Sequence, residues 1–285
     1  MGREWVDVRV QTSMDAGELA GMLDDPWLAG AWQEDGVIHL YWPKERWAPE
    51  TREEITALVQ RVGLDAAAMT MHSMPDADWN AAWATSVTPL RVGTRIVIRP
   101  SWESVALHRD DVEIILDPKQ AFGTGHHATT QLLLERLEAR LHGGERVLDV
   151  GTGSGILAMA ALKLGAVSAW GLDHDPVAIE CAQGYAIENG FGDELKLDTS
   201  ALATVPGNCF DLVLANLDRR TILALRDLLV RCLRRNGRLL LSGILASDRS
   251  DIVETFDQGG GTLAAEQARD GWLALEFIVD REASI

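Results

Sequence analysis

Cysteine, basic clusters and long apolar runs are all scarce in this chain, and each shortage argues against a class of function. The three cysteines, Cys181, Cys209 and Cys232, are an odd number, far apart and without a C-x-x-C pair. That pattern argues against a disulfide framework, a thiolate metal site and a cysteine nucleophile. Apolar or helical surroundings suit buried free thiols instead. No uninterrupted apolar segment approaches the roughly 18–20 residues that a bilayer-spanning helix needs. The opening MGREWVDVRV has neither a basic leader nor an apolar stretch behind it, so a cytoplasmic protein that contacts no membrane is expected. Lys and Arg form no long block, and a formal net charge of −17 repels phosphate backbones, which disfavours direct nucleic-acid binding. The acids are dispersed, as on a generally solvated surface. There is no internal repeat and no low-complexity tract.

A third glycine is also lacking, at an informative place. Residues 147–175, VLDVGTGSGILAMAALKLGAVSAWGLDHD, read as strand, glycine turn, helix, strand and acid. Residues 147–150 are an apolar strand, and Gly151, Gly153 and Gly155 let the backbone turn tightly and approach a ligand closely. Residues 156–164 are good helix formers ended by Gly165, and 167–172 form a second strand. Asp173 follows Gly151 by 22 positions, where a doubly wound α/β fold sets the carboxylate that accepts hydrogen bonds from ribose hydroxyls. A pyrophosphate turn reads G-x-G-x-x-G, whereas the spacing here is G-x-G-x-G and Ile156 stands where the third glycine belongs. The turn therefore suits S-adenosylmethionine, which has no phosphate, better than a dinucleotide.

With 285 residues, 47% of them hydrophobic, the chain can bury a large core and is expected to hold two domains. Up to about residue 74 the pattern runs β-α-β-β-α-β, with strands at 5–10, 27–33, 36–42 and 67–73 and helices at 15–23 and 49–62. That is the split, ferredoxin-like arrangement of a small α+β domain. Residues 73–78, SMPDAD, have the composition of a linker. The expected division is 1–74, a linker helix and connecting segment over 75–115, and a cofactor-binding domain over 116–285. The tryptophans of the first hundred residues read as core rather than as a stacking platform, Trp79 and Trp83 because they share a helix face and Trp5 and Trp42 because they lie in alternating strands.

Two further segments carry chemistry. In residues 116–130, LDPKQAFGTGHHATT, two glycines flank Thr124, Phe122 precedes the turn, and Thr129 and Thr130 open a helix. This is a loop able to fold over a ligand. His126 and His127 are adjacent, so their side chains diverge, and no Glu or Cys completes a metal site; no metal is expected. Downstream, strand 211–215, DLVLA, ends at Asn216, where open α/β sheets bind ligands. A carboxamide there can accept a hydrogen bond from an amine and orient it for attack. Further strands fall at 239–241 and 272–279.

AFGTGHHATT, VLDVGTGSGILAMAALKLGA, GLDHDPVAIECAQGYAIENG, DLVLAN and GRLLLSGIL, in this order, closely resemble the bacterial ribosomal protein L11 methyltransferases. Upstream, DWNAAWATSVTPLRVGTRIVIRPSW is similar to the segment that precedes their catalytic domain. The resemblance implies a seven-stranded, Rossmann-like class I methyltransferase domain preceded by a ferredoxin-like domain that recognises the substrate. It also implies S-adenosylmethionine contacts at Thr130, Gly151, Asp173 and Asn216, to which Phe122, Gly153 and Gly155 are added from their positions. Asn216 is the candidate catalytic residue. The implied reaction is N-methylation of the α-amine and lysine ε-amines of ribosomal protein L11; a monomer is expected. Lysine methylation of another protein, or cofactor binding without catalysis, remain open as alternatives. The chain departs from the family at His126, where a threonine is usual, at Ala128, where a proline is usual, and after Asn216, where Leu217, Asp218 and Arg219 replace Ile-Leu-Ala.

Overall fold

Alternation of apolar residues decides the first sheet. The computed structural model describes residues 4–12, 14, 19, 22–23, 25, 27–34, 36–64, 67, 69–75, 88–117 and 125–280, and the chain divides into two compact units, Met1–Ala82 and Trp83–Ile285. In the first unit, β1 (Glu4–Gln11), β2 (Gly30–Glu34), β3 (Val37–Pro43) and β4 (Met69–Pro75) form an antiparallel sheet in the order β2-β3-β1-β4. This is the strand order of the ferredoxin-like pattern. Val6, Val8 and Val10 of β1 join Ile38, Leu40 and Trp42 of β3 in one core with Ile55, Leu58 and Val59 of α1 (Pro49–Arg61). The α1 helix opens at Pro49, whose fixed φ suits the first helical position. Strand β4 runs to Pro75, so the stretch that reads as linker is partly strand. Trp42 is buried and its Nε1 donates to Asp25 Oδ2 at 2.7 Å, whereas Trp5 is half-buried. The expected helix over 15–23 falls largely outside the described residues, as do Trp79 and Trp83.

The described residues of the second unit open with three short strands. β5 (Leu90–Val92), β6 (Ile96–Arg99) and β7 (Val112–Ile115) make a small sheet, β5 antiparallel and β7 parallel to β6. Next come α2 (Ala128–Arg140), β8 (Arg146–Val150), α3 (Ile156–Lys163), β9 (Ser168–Leu172), α4 (Pro176–Glu188), β10 (Leu195–Asp198), β11 (Phe210–Asn216), α5 (Arg219–Cys232), β12 (Leu233–Leu245), α6 (Arg249–Asp257), β13 (Gly261–Arg269) and β14 (Trp272–Val279). The large sheet has the order β10-β9-β8-β11-β12-β14-β13. Strands β8 to β12 are parallel, and β14 lies antiparallel to both its neighbours. Its central strands are buried on both faces, which is why they read as continuous apolar runs. In β11, Leu212 and Leu214 enter the core beneath α2 and α3, while Val213 and Ala215 enter the opposite core with Ile222 of α5 and Phe256 of α6. Of the three thiols only Cys232 is buried; Cys181 and Cys209 are half-buried. Among the described residues no helix is long and apolar enough to cross a membrane.

Candidate functional site

Strand order reverses between β8 and β11, and at such a switch point the carboxyl ends of the strands open a crevice. The register aligns the three ends that matter. Val150 pairs with Leu172 and with Ala215, so Gly151, Asp173 and Asn216, each the next residue or so along, sit on one edge. The turn after β8 is folded onto β9: Gly151 N and Thr152 N donate to Leu172 O at 2.8 and 2.9 Å, and Gly153 N donates to Asp173 Oδ2 at 2.9 Å. Gly151, Gly153 and Gly155 have φ values of 73°, 54° and 80°, a left-handed run that side-chain-bearing residues resist. A Cβ on Gly151 would stand 2.5 Å from Leu217 Cδ2, so the turn also lies close against the segment leaving β11.

Asn216 and Thr130 come together. Asn216 Nδ2 donates to Thr130 Oγ1 at 3.4 Å, which leaves the Asn216 Oδ1 as an acceptor. Thr130 is buried in the first turn of α2, its N–H bonded to His127 O at 3.1 Å. His127 is the cap of that helix: its Nδ1 lies 2.8 Å from Thr129 Oγ1, and its ring stands edge-on to Trp272. Its work is therefore packing and capping, and among the described residues no cluster of His, Cys, Asp or Glu could hold a metal. Phe122 and Thr124 lie outside the described residues.

One residue that sequence reading passes over is Asp149. It lies wholly buried beneath the turn, with Oδ2 accepting from Thr152 Oγ1 at 2.6 Å and, among the described residues, no hydrogen-bond partner for Oδ1. Burial pushes its pKa up to about 7; the Thr152 bond opposes this and the nearby Asp173 charge adds to it. The signal was an acid inside the apolar strand VLDV. Asp173 Oδ1 accepts from Asp175 N at 3.0 Å, and its only described ionic neighbour is the exposed His174. Two carboxylates thus flank a glycine turn, and among the described residues no Lys or Arg pairs with either. Such a cradle repels a pyrophosphate and favours a ligand that carries positive charge and ribose hydroxyls, as S-adenosylmethionine does with its sulfonium and ammonium.

The three residues after Asn216 have structural partners. Leu217 packs under Gly151. Asp218 caps α5, accepting from Thr221 N at 3.0 Å and Thr221 Oγ1 at 2.6 Å. Partial burial works against its charge, but these Thr221 bonds prevail and hold its pKa below the ordinary carboxylate value. Arg219 pairs with Asp251. The Asp218 carboxylate is committed to its own helix.

The model of the family described as "Ribosomal protein L11 methyltransferase (PrmA)" matches residues 14–279. The ribosomal protein L11 methyltransferase of Geobacter sulfurreducens is 42% identical over 210 residues, 74% of this chain and 69% of that protein. The one from Pelobacter propionicus is 38% identical over 252 residues, 85% of this chain and 81% of that protein. The crystal structure of a ribosomal protein L11 methylase from Lactobacillus delbrueckii subsp. bulgaricus superposes with a TM-score of 0.64 at 33% identity, covering 68% of this chain and all of that one.

Proposed function

Because the chain belongs to the ribosomal protein L11 methyltransferase family, whose members are S-adenosylmethionine-dependent methyltransferases, we propose that it methylates the N-terminal α-amine and lysine ε-amines of ribosomal protein L11. The observation that carries this reading is the placement of Asn216, bonded to Thr130 at the switch point and beside the glycine turn. In this proposal Gly151, Gly153, Gly155, Asp173, Thr130 and Phe122 hold the cofactor. The first unit recognises the protein substrate. The enzyme acts in the cytoplasm, as a monomer, with no direct nucleic-acid partner.

The bound cofactor supplies an electrophilic methyl group on a sulfonium. Everything else falls to this chain's own side chains. A lysine amine, with an ordinary pKa near about 10.4, must shed a proton before it can attack. Asn216 Oδ1 accepts one N–H of the neutral amine and so aims the nitrogen lone pair, with Thr130 fixing the carboxamide plane from the other side. Positioning of this kind can supply most of the acceleration in a displacement that needs no metal. The buried Asp149 and half-buried Asp173 favour cationic ligand over neutral product, which aids release after transfer.

Incubation with labelled S-adenosylmethionine and purified L11 from the same host, followed by intact-protein mass, tests the proposal. Mass added to L11 in methyl steps supports it. Cofactor binding with no addition to L11 contradicts it and redirects the search to another protein substrate or to a catalytically silent binding module.

A further inference from the structure

Two residues at the tip of the β13–β14 hairpin reach back to the start of α2. Arg269 and Trp272 pair across the turn Asp270-Gly271, whose φ values of 50° and 82° are both left-handed, as a tight two-residue hairpin turn requires. Ala246 N donates to Gly271 O at 2.9 Å, so the tip is itself tied to the end of β12. From there Arg269 donates through Nη1 to Gln131 Oε1 and through Nη2 to Glu135 Oε1, each at 2.8 Å. Gln131 passes the constraint on: its Nε2 donates to the backbone carbonyl of His126 at 2.8 Å. Beside it the His127 ring meets Trp272 edge-on, centroids 5.2 Å apart at 67°. His127 O then accepts from Thr130 N, and Thr130 meets Asn216.

An arginine on the edge strand of a sheet is ordinarily solvated or paired with one acid, as the Glu135 half of this fork is. The Gln131 half differs, because an amide used as acceptor and donor in series fixes a main-chain carbonyl at the bend that feeds α2. Neither Arg269 nor Gln131 is bonded to the glycine turn or to Asn216, so any influence on the site passes through backbone position.

We infer that Arg269 and Gln131 are positioning residues for the methyl-transfer site: the hairpin tip sets the bend at His126 and His127 and thereby where Thr130 Oγ1 stands against Asn216. The inference rests on the site proposed above. Gln131→Glu is the discriminating variant. It keeps the shape and the acceptor for Arg269 but replaces the donor facing His126 O by a carboxylate oxygen that cannot donate. Glu135→Gln is its control, weakening the ion pair to Arg269 while leaving the Gln131 link.

Calorimetric Kd for S-adenosylmethionine, kcat and KM with L11, and melting temperature are measured for both variants, with Arg269→Gln as a third. Gln131→Glu is expected to raise Kd and KM for the cofactor about fivefold or more with little change in melting temperature, Arg269→Gln to do the same in smaller degree, and Glu135→Gln to leave both constants within about twofold. A Gln131→Glu enzyme with unchanged cofactor constants, or a Glu135→Gln enzyme equally impaired, overturns the inference and leaves a merely structural network. A wild-type protein that binds no cofactor brings down the site proposal as well.

Discussion

Asp149 shows how one side chain can couple the site to pH. Its pKa in the folded protein, pushed up to about 7 by burial, lies above the value of about 3.9 that an unfolded chain gives it. The native state therefore keeps a proton that the unfolded state releases. The sign follows: stability falls as pH rises from about 4, and the full penalty, on the order of a few kcal/mol, is present above about pH 7. Asp149→Asn removes this slope, so the difference in melting temperature between variant and wild type should widen from pH 5 to pH 8 in favour of the variant. The positive charges of the cofactor favour the ionised form, and wild-type affinity should accordingly rise through about pH 7 while that of Asp149→Asn stays flat. Parallel pH profiles for the two proteins would contradict both statements. The sequence makes Asp173, Gly151 and Asn216 legible because each stands at a strand end, where position alone implies exposure to a ligand. Asp149 stands inside a strand, where an acid is read as noise unless its burial is known.

Among the elements, the connection from β11 to α5 is the most constrained. Gly243, at the end of β12, has φ of 80°, and a Cβ there would lie 2.4 Å from Leu217 O, a backbone atom that cannot step aside. Gly271 has a similar φ of 82° but nothing within 4 Å. Gly243→Ala should therefore cost about 3 kcal/mol or more, the left-handed penalty plus a backbone clash, against about 1 kcal/mol for Gly271→Ala. Chemical denaturation of both variants checks the ordering; equal losses would mean that strain in φ alone governs these turns. Elements with long apolar runs or strong turn signals, such as β8, β11, α3 and α1, are visible in the sequence to within a residue or two. β13 is not, because an edge strand reading GTLAAEQAR alternates exposed with half-buried residues, two of which, Gln267 and Arg269, are polar, and offers no apolar run. Strand β6 is visible as an apolar run at 95–99, but its neighbours β5 and β7, at 3 and 4 residues, are too short for a period to emerge, so residues 75–115 as a whole read as a connecting segment.

At the level of the whole molecule, charge is the dominant unspent term. The net charge of −17 includes a large share from Met1–Ala82, where 15 Asp and Glu face 6 Lys and Arg. Dispersed like charges repel in the folded state and are screened by salt. The melting temperature should rise by several degrees between low and molar KCl, and a flat response would show that the acids are locally compensated. The α/β class is legible from composition and pattern together. The concentration of acid in the first unit is not, since dispersed charge has no sequence motif.

Single-turnover methyl transfer to L11 at saturating cofactor, comparing wild type with Asn216→Ala, tests the central claim most directly. If Asn216 aims the amine, the transfer rate falls about 100-fold, the scale of losing one preorganised polar group, while the Kd for S-adenosylmethionine moves only a few-fold. Transfer at the wild-type rate by Asn216→Ala would contradict the account and move the chemistry away from the β8–β11 switch point.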